Sequence, residues 1–512
     1  MAFPDSAPAA VDSPALSGHV HIPFDNTYAR LPERFYARVN PTPVAAPQLV
    51  KLNTELAHQL GLDLNQLASS EGVEVLAGNR IAEGSEPLAI AYAGHQFGYF
   101  VPQLGDGRAN LLGEVIGRDG LRYDIQLKGS GRTSFSRAGD GRAALGPVLR
   151  EYIVSEAMNA MDVPTTRSLA AVTTGEQVLR ETVLPGAVLT RVASSHLRVG
   201  TFQYFAARQD IEAVRILADY AINRHYPGAA QSTQPYRRFL DGVVARQAQL
   251  VAQWMLLGFI HGVMNTDNTS ISGETIDYGP CAFMEAYDPD TVFSSIDQNG
   301  RYAYGNQGGI ALWNLMRLAE CLLPLLQKEA GAEQAGLDSA REALTTFEPQ
   351  FEAAYHAGLR RKLGLTTERD GDADLGKDLL ERMAANQADF TLTFRRLCDA
   401  AESSSGDAAV RTLFVDPAAY DTWAAEWRAR LQHDPTTGTE RAAQMCSVNP
   451  LFIPRNHLVE AALNAALERQ DFQPFEELLD VVLRPFDDRP GFDRYATPAR
   501  PEERVCATFC GT

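Results

Sequence analysis

An apolar run that passes directly into a cluster of polar side chains constrains this chain more than any other feature. Residues 250–260 read LVAQWMLLGFI, and residues 261–279 read HGVMNTDNTSISGETIDYG. A run this apolar predicts a buried helix, and the polar residues after it would form a loop inside the fold. Hard divalent cations prefer oxygen ligands. The amide of Asn268 and the carboxylate of Asp277 are therefore candidate metal ligands.

The order of these polar residues follows the catalytic loop of kinase-type phosphotransferases. That loop reads H-x-D-x-x-x-x-N and is followed by an Asp, an aromatic residue and a Gly. His261 and Asn268 match the loop, and Asp277 begins the second motif. Val263 stands where the template has its first Asp, and Asp267 stands four positions later. The metal half of the pattern is present, whereas the base has moved or is missing.

A glycine loop and a predicted β-hairpin lie earlier in the chain. Residues 105–108 read G-D-G-R and lead into two strand-like segments, 108–117 and 121–129. Lys128 closes the second segment, which is the kinase order of glycine loop, hairpin and lysine. Asn110 stands where the third glycine of the kinase loop is expected. An ordinary glycine turn in a sheet is therefore the alternative.

A second glycine-rich segment, residues 129–146, reads GSGRTSFSRAGDGRAALG. Its backbone N–H groups and arginines are suited to binding phosphate oxygens, and a solvated loop is the alternative. A helix is predicted from Pro147, since proline is favoured at the first helical position. Glu151 lies in its second turn, 23 positions after Lys128. This spacing suits a Lys–Glu ion pair, with an exposed helix carboxylate as the alternative.

Two further strand-like segments, 167–175 and 185–193, complete a β-rich region that ends near residue 195. From about residue 203 the pattern becomes helical. Arg191 and Arg198 lie at this junction, where a nucleotide site is expected. Surface charge is the more usual role of such arginines.

Composition limits the classes of partner. The 512-residue chain has a net charge of −18, which argues against binding to nucleic acid or to an anionic membrane. ATP binding would therefore need a local basic pocket. The first 23 residues lack the pattern of a signal peptide, and the longest apolar run falls short of the ~20 residues of a membrane span. The six cysteines form no C-x-x-C pair. We expect a cytoplasmic enzyme without a zinc site.

These segments together resemble a known family. Over nearly its whole length the chain resembles the selenoprotein O family of pseudokinase-fold protein adenylyltransferases. The resemblance rests on the segments FDNTYARLP, YAGHQFGYFVPQLGDGRANLLGE, YDIQLKGSGRTSFSRAGDGRAAL, TRVASSHLRVGTFQYFA, HGVMNTDNTSISGETIDYGPCAFM and NPLFIPRNH.

The resemblance implies an α+β, bilobal protein-kinase-like fold. The implied N-lobe is small and β-rich and covers residues 88–195, and the implied C-lobe is large and mainly helical and covers residues 196–445. Residues 1–87 would form an N-terminal extension that wraps this body. Residues 446–512 would form a helical and irregular C-terminal extension.

The resemblance also implies an activity and a set of site residues. AMP would move from ATP, bound in reversed orientation, onto Ser, Thr or Tyr hydroxyls of protein substrates. Asn268 and Asp277 would hold Mg²⁺, or alternatively Mn²⁺, and Asp267 would accept the hydroxyl proton. Glu151 would support the site lysine. The implied ATP-binding residues are Gly105, Gly107, Arg108, Lys128, Asp140, Gly141, Arg191, Arg198 and Asp277.

Two other functions stay open at this stage: phosphoryl transfer to a small molecule, and nucleotide binding by an inactive pseudokinase. Val263 argues against the first, and the retained Lys128 and Asp277 argue against the second. The family also carries Sec or Cys near the C-terminus, which Cys510 matches. Three questions are left open: whether Cys510 pairs with Cys281 or Cys506, which proteins are the substrates, and which oligomer the chain forms.

Overall fold

A sheet dominates the first part of the chain, and helices dominate the rest. A computed structural model describes residues 20–509. In this range the strands are β1 (Tyr36–Arg38), β2 (Gln48–Leu52), β3 (Leu88–Ile90), β4 (Gly94–Gln96), β5 (Tyr99–Val101), β6 (Ala109–Ile116), β7 (Arg122–Lys128), β8 (Ala143–Ala144), β9 (Arg167–Leu179), β10 (Val183–Ala193), β11 (Phe259–Ile260) and β12 (Ala282–Phe283).

The α-helices fall into three groups along the chain. Those within and before the sheet are α1 (Thr54–Gln59), α2 (Leu64–Ala68), α3 (Ser70–Ala77) and α4 (Leu145–Ala160). The next group is α5 (Val199–Ala206), α6 (Ile211–His225), α7 (Pro235–Leu257), α8 (Gln307–Ala330), α9 (Glu333–Thr345), α10 (Phe347–Lys362), α11 (Asp372–Ala385) and α12 (Phe390–Glu402). The last group is α13 (Asp407–Arg411), α14 (Pro417–Leu431), α15 (Gly438–Cys446), α16 (Asn456–Arg469), α17 (Gln473–Val482) and α18 (Asp493–Ala496).

The main sheet is antiparallel and has the order β1-β3-β6-β7-β10-β9-β2, with β8 paired to β10. The predicted hairpin is present as β6 and β7, where Ala109 lies opposite Lys128. The two later predicted strands are β9 and β10, which are longer than expected and reach Leu179 and Val183 at their shared turn. The edge strands β1 and β2 were not predicted, because both are short and proline-rich segments surround them.

Apolar side chains cover both faces of this sheet. Helix α4 packs on one face against Leu111 and Leu189. Helices α1 and α3 pack on the other face, against Leu112 and Val188. Successive side chains of a strand point to opposite faces. This two-sided burial explains why β6 and β10 are apolar at most positions.

Helix α4 begins two residues earlier than predicted, at Leu145, so that Pro147 occupies its first turn. The N–H groups of a first helical turn have no partner within the helix, and proline is therefore tolerated there. The outer side of α4 is covered by the C-terminal helices. Tyr152 contacts Phe475 of α17 edge to face, and Arg150 forms an ion pair with Glu460 of α16. The helix is buried along nearly its whole length.

One helix of the described range is long and apolar enough to cross a membrane by length and composition alone. It spans Tyr304–Ala330, which is α8 together with the short helical turn before it. Half of its apolar window (50%) is buried inside the fold. Leu315, Leu318 and Leu322 belong to the main core together with residues of α7. One side of this helix therefore packs into the core of the fold.

The mixed α+β class is confirmed, with a sheet-rich N-terminal region and a mainly helical remainder. The kinase-like division into two lobes stays a prediction, as do the bounds of the four predicted segments.

Candidate active site

The loop predicted to carry the chemistry follows the apolar helix α7. Gly258 ends this helix in the left-handed region, with φ +71. His261 is buried against Trp254, and its Nε2 lies 2.9 Å from the carbonyl oxygen of Ile276. Burial lowers the pKa of His261, which favours the neutral imidazole. His261 thus joins the beginning of the loop to the residue just before Asp277.

Three cationic side chains meet on the carboxylate of Asp277. Lys128 Nζ lies 2.9 Å from Oδ1, Arg191 Nη1 lies 2.5 Å from Oδ1, and Arg198 Nη1 lies 2.6 Å from Oδ2. Burial raises the pKa of Asp277, but the three cations lower it more, to well below its usual value. Asp277 itself has φ +62, a left-handed conformation that Asp and Asn tolerate better than most residues.

Glu151 holds two of these cations from the side of helix α4. Its carboxylate lies 2.6 Å from Lys128 Nζ and 3.3 Å from Arg191 Nη1. Arg191 also donates to Gln126 Oε1 at 2.6 Å, and the two residues lie opposite each other on β10 and β7. The predicted Lys–Glu pair is present, and Glu151 is buried rather than on the surface.

Arg198 links the Asp277 cluster to the catalytic loop. It precedes helix α5 and donates through Nη1 to the backbone oxygen of Asp267 at 2.7 Å. Its guanidinium lies over the ring of Tyr92, 4.7 Å from the centroid. Asp106 Oδ1 lies 4.0 Å from Arg198 Nη2. A buried arginine with this many partners fixes the relative position of the loops around it.

The carboxylate of Asp267 is buried, and its two oxygens differ in their contacts. Oδ2 accepts a hydrogen bond from Gln96 Nε2 at 3.3 Å. Oδ1 is buried without a hydrogen-bond partner. Burial raises the pKa of Asp267 to about 6, although Arg198 opposes this shift. A buried polar atom of this kind ordinarily has a partner. Oδ1 is therefore the atom available to a proton or to a bound group.

Glycines leave the space that Asp267 occupies. A Cβ at Gly94 would lie 2.3 Å from Asp267 Oδ1 and 2.9 Å from Asp267 Cβ. A Cβ at Gly200 would lie 3.2 Å from Asp267 Cα and 2.1 Å from the oxygen of Ala93. Both contacts are closer than ordinary van der Waals contact, so the base candidate is held between two backbones that approach closely.

Asn268 and Asp277 fit the ligand chemistry of Mg²⁺. The amide nitrogen of Asn268 donates to the backbone oxygen of Val263 at 2.9 Å, which leaves its amide oxygen as a ligand atom. Asp277 supplies carboxylate oxygens, and Mg²⁺ is commonly bound by one or two such groups together with phosphates and water. Across residues 20–509, no group of three or more His, Cys, Asp or Glu side chains is placed to hold a metal ion. Phosphate oxygens would have to complete this site.

The two predicted glycine loops pack against each other. Gly105 has φ +76, and a Cβ there would lie 2.2 Å from the ring of Phe135. A Cβ at Gly107 would lie 2.9 Å from the backbone oxygen of Phe135. Thr133 Oγ1 donates to the oxygen of Asp106 at 2.6 Å. Contact between the two loops is thus one physical reason for the glycines at positions 105 and 107. Arg108 follows them, half-buried, and its backbone oxygen accepts from the N–H of Gly129 at 2.7 Å.

Asp140 and Gly141 lie at the far end of the second loop. Asp140 is exposed and accepts from Arg180 Nη1 at 2.8 Å and from the N–H of Arg142 at 2.9 Å. The hydrogen bond from Arg180 lowers the pKa of Asp140. Gly141 has φ +72 and packs directly on the backbone of Gly131. The ion pair of Asp140 is therefore with Arg180 and not with the cations around Asp277.

Two polar residues of the site were not assigned from the sequence. Asp106 is buried, and its Oδ2 accepts from the N–H of Ile90 at 3.1 Å and from Gln126 at 3.0 Å. Burial raises the pKa of Asp106 to about 6. Gln96 contacts the base candidate from a segment 171 positions away. The position of Asp106 between two glycines was a usable signal, whereas nothing local marks Gln96.

The end of the described chain lies beside the segment that follows Asp277. Thr508 Oγ1 donates to the oxygen of Pro280 at 2.6 Å, and the N–H of Thr508 donates to the oxygen of Phe293 at 2.7 Å. Cys281 is buried next to Pro280. Cys506 is exposed. Cys510 lies outside the described residues.

Comparison with known proteins identifies close relatives. Residues 19–483 match the family described as Protein adenylyltransferase SelO. The chain is 65% identical over 493 residues to the protein nucleotidyltransferase YdiU of a Bradyrhizobium species, a match that covers 96% of this chain and 100% of the relative. It is 66% identical over 497 residues to the protein of the same name from Methylorubrum populi, covering 96% of this chain and 99% of the relative.

Proposed function

This chain belongs to the SelO family of protein adenylyltransferases, and from this premise we propose a specific reaction for it. It transfers AMP from ATP to Ser, Thr or Tyr hydroxyls of cytoplasmic proteins. The reaction depends on a divalent metal, Mg²⁺ or Mn²⁺, and ATP binds in reversed orientation, with its α-phosphate toward the acceptor.

The observation that carries the proposal is the meeting of Lys128, Arg191 and Arg198 on one carboxylate. Arginine and lysine side chains bind phosphate oxygens through charge-assisted hydrogen bonds. Arg191 and Arg198 are almost fully buried, at 2% exposure each. Their electrostatic attraction for a phosphate bound among them would therefore be stronger than at the protein surface. In this acidic chain such a cluster supplies the local basic pocket that ATP requires.

Asn268 and Asp277 are the proposed metal ligands. A bound Mg²⁺ would neutralise phosphate charge and fix the phosphates in place. Binding would also change the partners of Asp277, because its carboxylate now accepts hydrogen bonds from Lys128, Arg191 and Arg198. We propose that these cations transfer their hydrogen bonds from Asp277 to phosphate oxygens when the nucleotide binds. Glu151 keeps Lys128 and Arg191 in place during this exchange.

Asp267 is the proposed proton acceptor. Its partnerless Oδ1 takes the proton of the acceptor hydroxyl as the hydroxyl oxygen forms a bond to the α-phosphorus. The bond between the α-phosphorus and the bridging oxygen to the β-phosphate breaks, and pyrophosphate leaves. The acceptor protein then carries AMP through a phosphodiester, and the proton resides on Asp267 until water removes it.

Labelled ATP tests the proposal directly. The protein is incubated with a bacterial protein extract, Mg²⁺ and either α-³²P-ATP or γ-³²P-ATP, and labelled bands are resolved on a gel. We expect label from the α position alone, and mass spectrometry of the modified peptides should find AMP on a hydroxyl side chain. Label from the γ position alone would instead establish phosphoryl transfer.

A further inference from the structure

We propose that Gln96 is the positioning residue of Asp267: it fixes the carboxylate through Oδ2 and leaves Oδ1 free to accept the proton. This inference rests on the proposed function, since it concerns the group proposed there as the base. The hydrogen bond from Gln96 Nε2 to Asp267 Oδ2 spans 3.3 Å, while Oδ1 is buried and has no hydrogen-bond partner.

Gln96 is carried by a small hairpin that stands apart from the main sheet. Strands β4 and β5 form a two-stranded sheet of their own within residues 20–509, and Gln96 lies opposite Tyr99. The two turn residues, Phe97 and Gly98, have φ +51 and +88. Positive φ at both positions is the geometry of the tight two-residue hairpin turn. Phe97 is a costly residue there, because a side chain with a Cβ is disfavoured in the left-handed region by about 1–2 kcal/mol.

Contacts to the catalytic loop hold the hairpin in this conformation. The N–H of Phe97 donates to Asn265 Oδ1 at 3.0 Å, and the N–H of His95 donates to Thr266 Oγ1 at 2.7 Å. Thr266 Oγ1 donates in turn to Gln203 Oε1 at 2.6 Å, and Gln203 Nε2 lies 2.8 Å from His95 Nδ1. The two residues just before Asp267 thus bond directly to the segment that carries Gln96. The hairpin and the base candidate are fixed to each other as one unit.

An amide is a suitable partner for a general base. A lysine or arginine at position 96 would fix the carboxylate equally well but would add a positive charge and lower its basicity. Arg198 contacts the backbone oxygen of Asp267 and the carboxylate of Asp277. Gln96 therefore limits rotation of the Asp267 carboxylate without contributing a charge. A general base must lie within hydrogen-bond reach of the proton that it takes, so orientation decides the rate.

Two substitutions separate this role from a general effect on the fold. Gln96→Ala should lower kcat for AMP transfer roughly 10- to 100-fold, the loss that a misplaced catalytic group causes. The KM for ATP and the melting temperature should stay unchanged. Gln96→Glu keeps the length of the side chain but places a second carboxylate beside Asp267, and it should lower kcat at least as much. Gln103→Ala, at an exposed position seven residues away, serves as the control and should keep the wild-type rate.

A double substitution decides whether Gln96 acts through Asp267. In the Asp267→Asn background, Gln96→Ala should cause no further loss, because the base that it positions is already removed. The proposal is overturned if Gln96→Ala keeps the wild-type kcat, or if it lowers the rate by the same factor in both backgrounds. Label from α-³²P-ATP and γ-³²P-ATP is followed in parallel. Transfer from the γ position would refute the proposed adenylyl transfer, yet the same comparison of variants would still decide the role of Gln96.

Discussion

Replacing Gly94 by alanine tests how tightly the base candidate is held. The new Cβ would lie 2.3 Å from Asp267 Oδ1, whereas ordinary contact begins at 3.4 Å, so one of the two groups must move by about 1.1 Å. The hairpin cannot yield easily, because hydrogen bonds to Asn265 and Thr266 hold it on the same loop. Asp267 therefore has to move. A displacement of about 1 Å in a reacting group costs on the order of 10²-fold in rate.

The assay is transfer from α-³²P-ATP at saturating ATP, together with calorimetric binding of Mg²⁺-ATP. We expect Gly94→Ala to lose about 100-fold in kcat. It should keep its nucleotide affinity, since the three atoms nearest to the new Cβ all belong to Asp267 and none to the cations around Asp277. Gly228→Ala is the matched control: Gly228 has φ −64, and a Cβ there meets no atom within 4 Å. Wild-type turnover in Gly94→Ala would refute the reasoning, because it would mean that the carboxylate does not need its present position.

Three further predictions concern the candidate base, the candidate metal ligand and a buried lysine. Asp267→Asn should reduce AMP transfer by about 10²–10⁴-fold while the affinity for Mg²⁺-ATP is retained. Adding Val263→Asp should not restore the transfer. Restored transfer in the double variant would contradict the assignment of Asp267 as the base. Asp277→Asn should destabilise the protein by roughly 3–5 kcal/mol, because it leaves buried cations without their shared carboxylate. Thermal unfolding should show inorganic tripolyphosphate stabilising this variant more than the wild type, and an unchanged melting temperature without ligand would count against the cluster. Burial lowers the pKa of Lys362 to about 7, from about 10.4 in the unfolded chain, so stability should rise with pH between these values. Lys362→Met should raise the melting temperature at pH 7, and this gain should shrink toward pH 10. A gain that does not depend on pH would argue against a lowered pKa of Lys362 in the folded protein.

Local patterns predicted those parts of the molecule that local physics determines. The hairpin β6–β7 follows from two strand-like segments around a tight turn, and helix α4 follows from the proline in its first turn. The order of strand, loop and helix was also enough to predict the pair of Lys128 and Glu151, which lie 23 positions apart. The chemical roles proposed for both residues stay predictions.

Contacts between distant segments could not be predicted in this way. Gln96 and Asp267 are separated by 171 positions, and no periodicity or spacing relates a hairpin to a loop at that distance. The ion pair of Asp140 with Arg180, a residue in the turn between β9 and β10, was likewise not foreseen. The role of Asp140 as a nucleotide ligand stays a prediction. Edge strands such as β1 and β2 are equally hard to recognise, since three to five residues carry too little pattern.

The packing of the C-terminal helices on α4 has a consequence for inhibitor design. A compound aimed at the proposed nucleotide site could be designed to push α4 outward and to fill the space behind it. Here that movement would separate Tyr152 from Phe475 and break the ion pair between Arg150 and Glu460. Exposing each large side chain would cost about 2–3 kcal/mol, which a small molecule would have to recover. At the proposed nucleotide site, compounds that leave α4 in place should therefore outperform those that displace it.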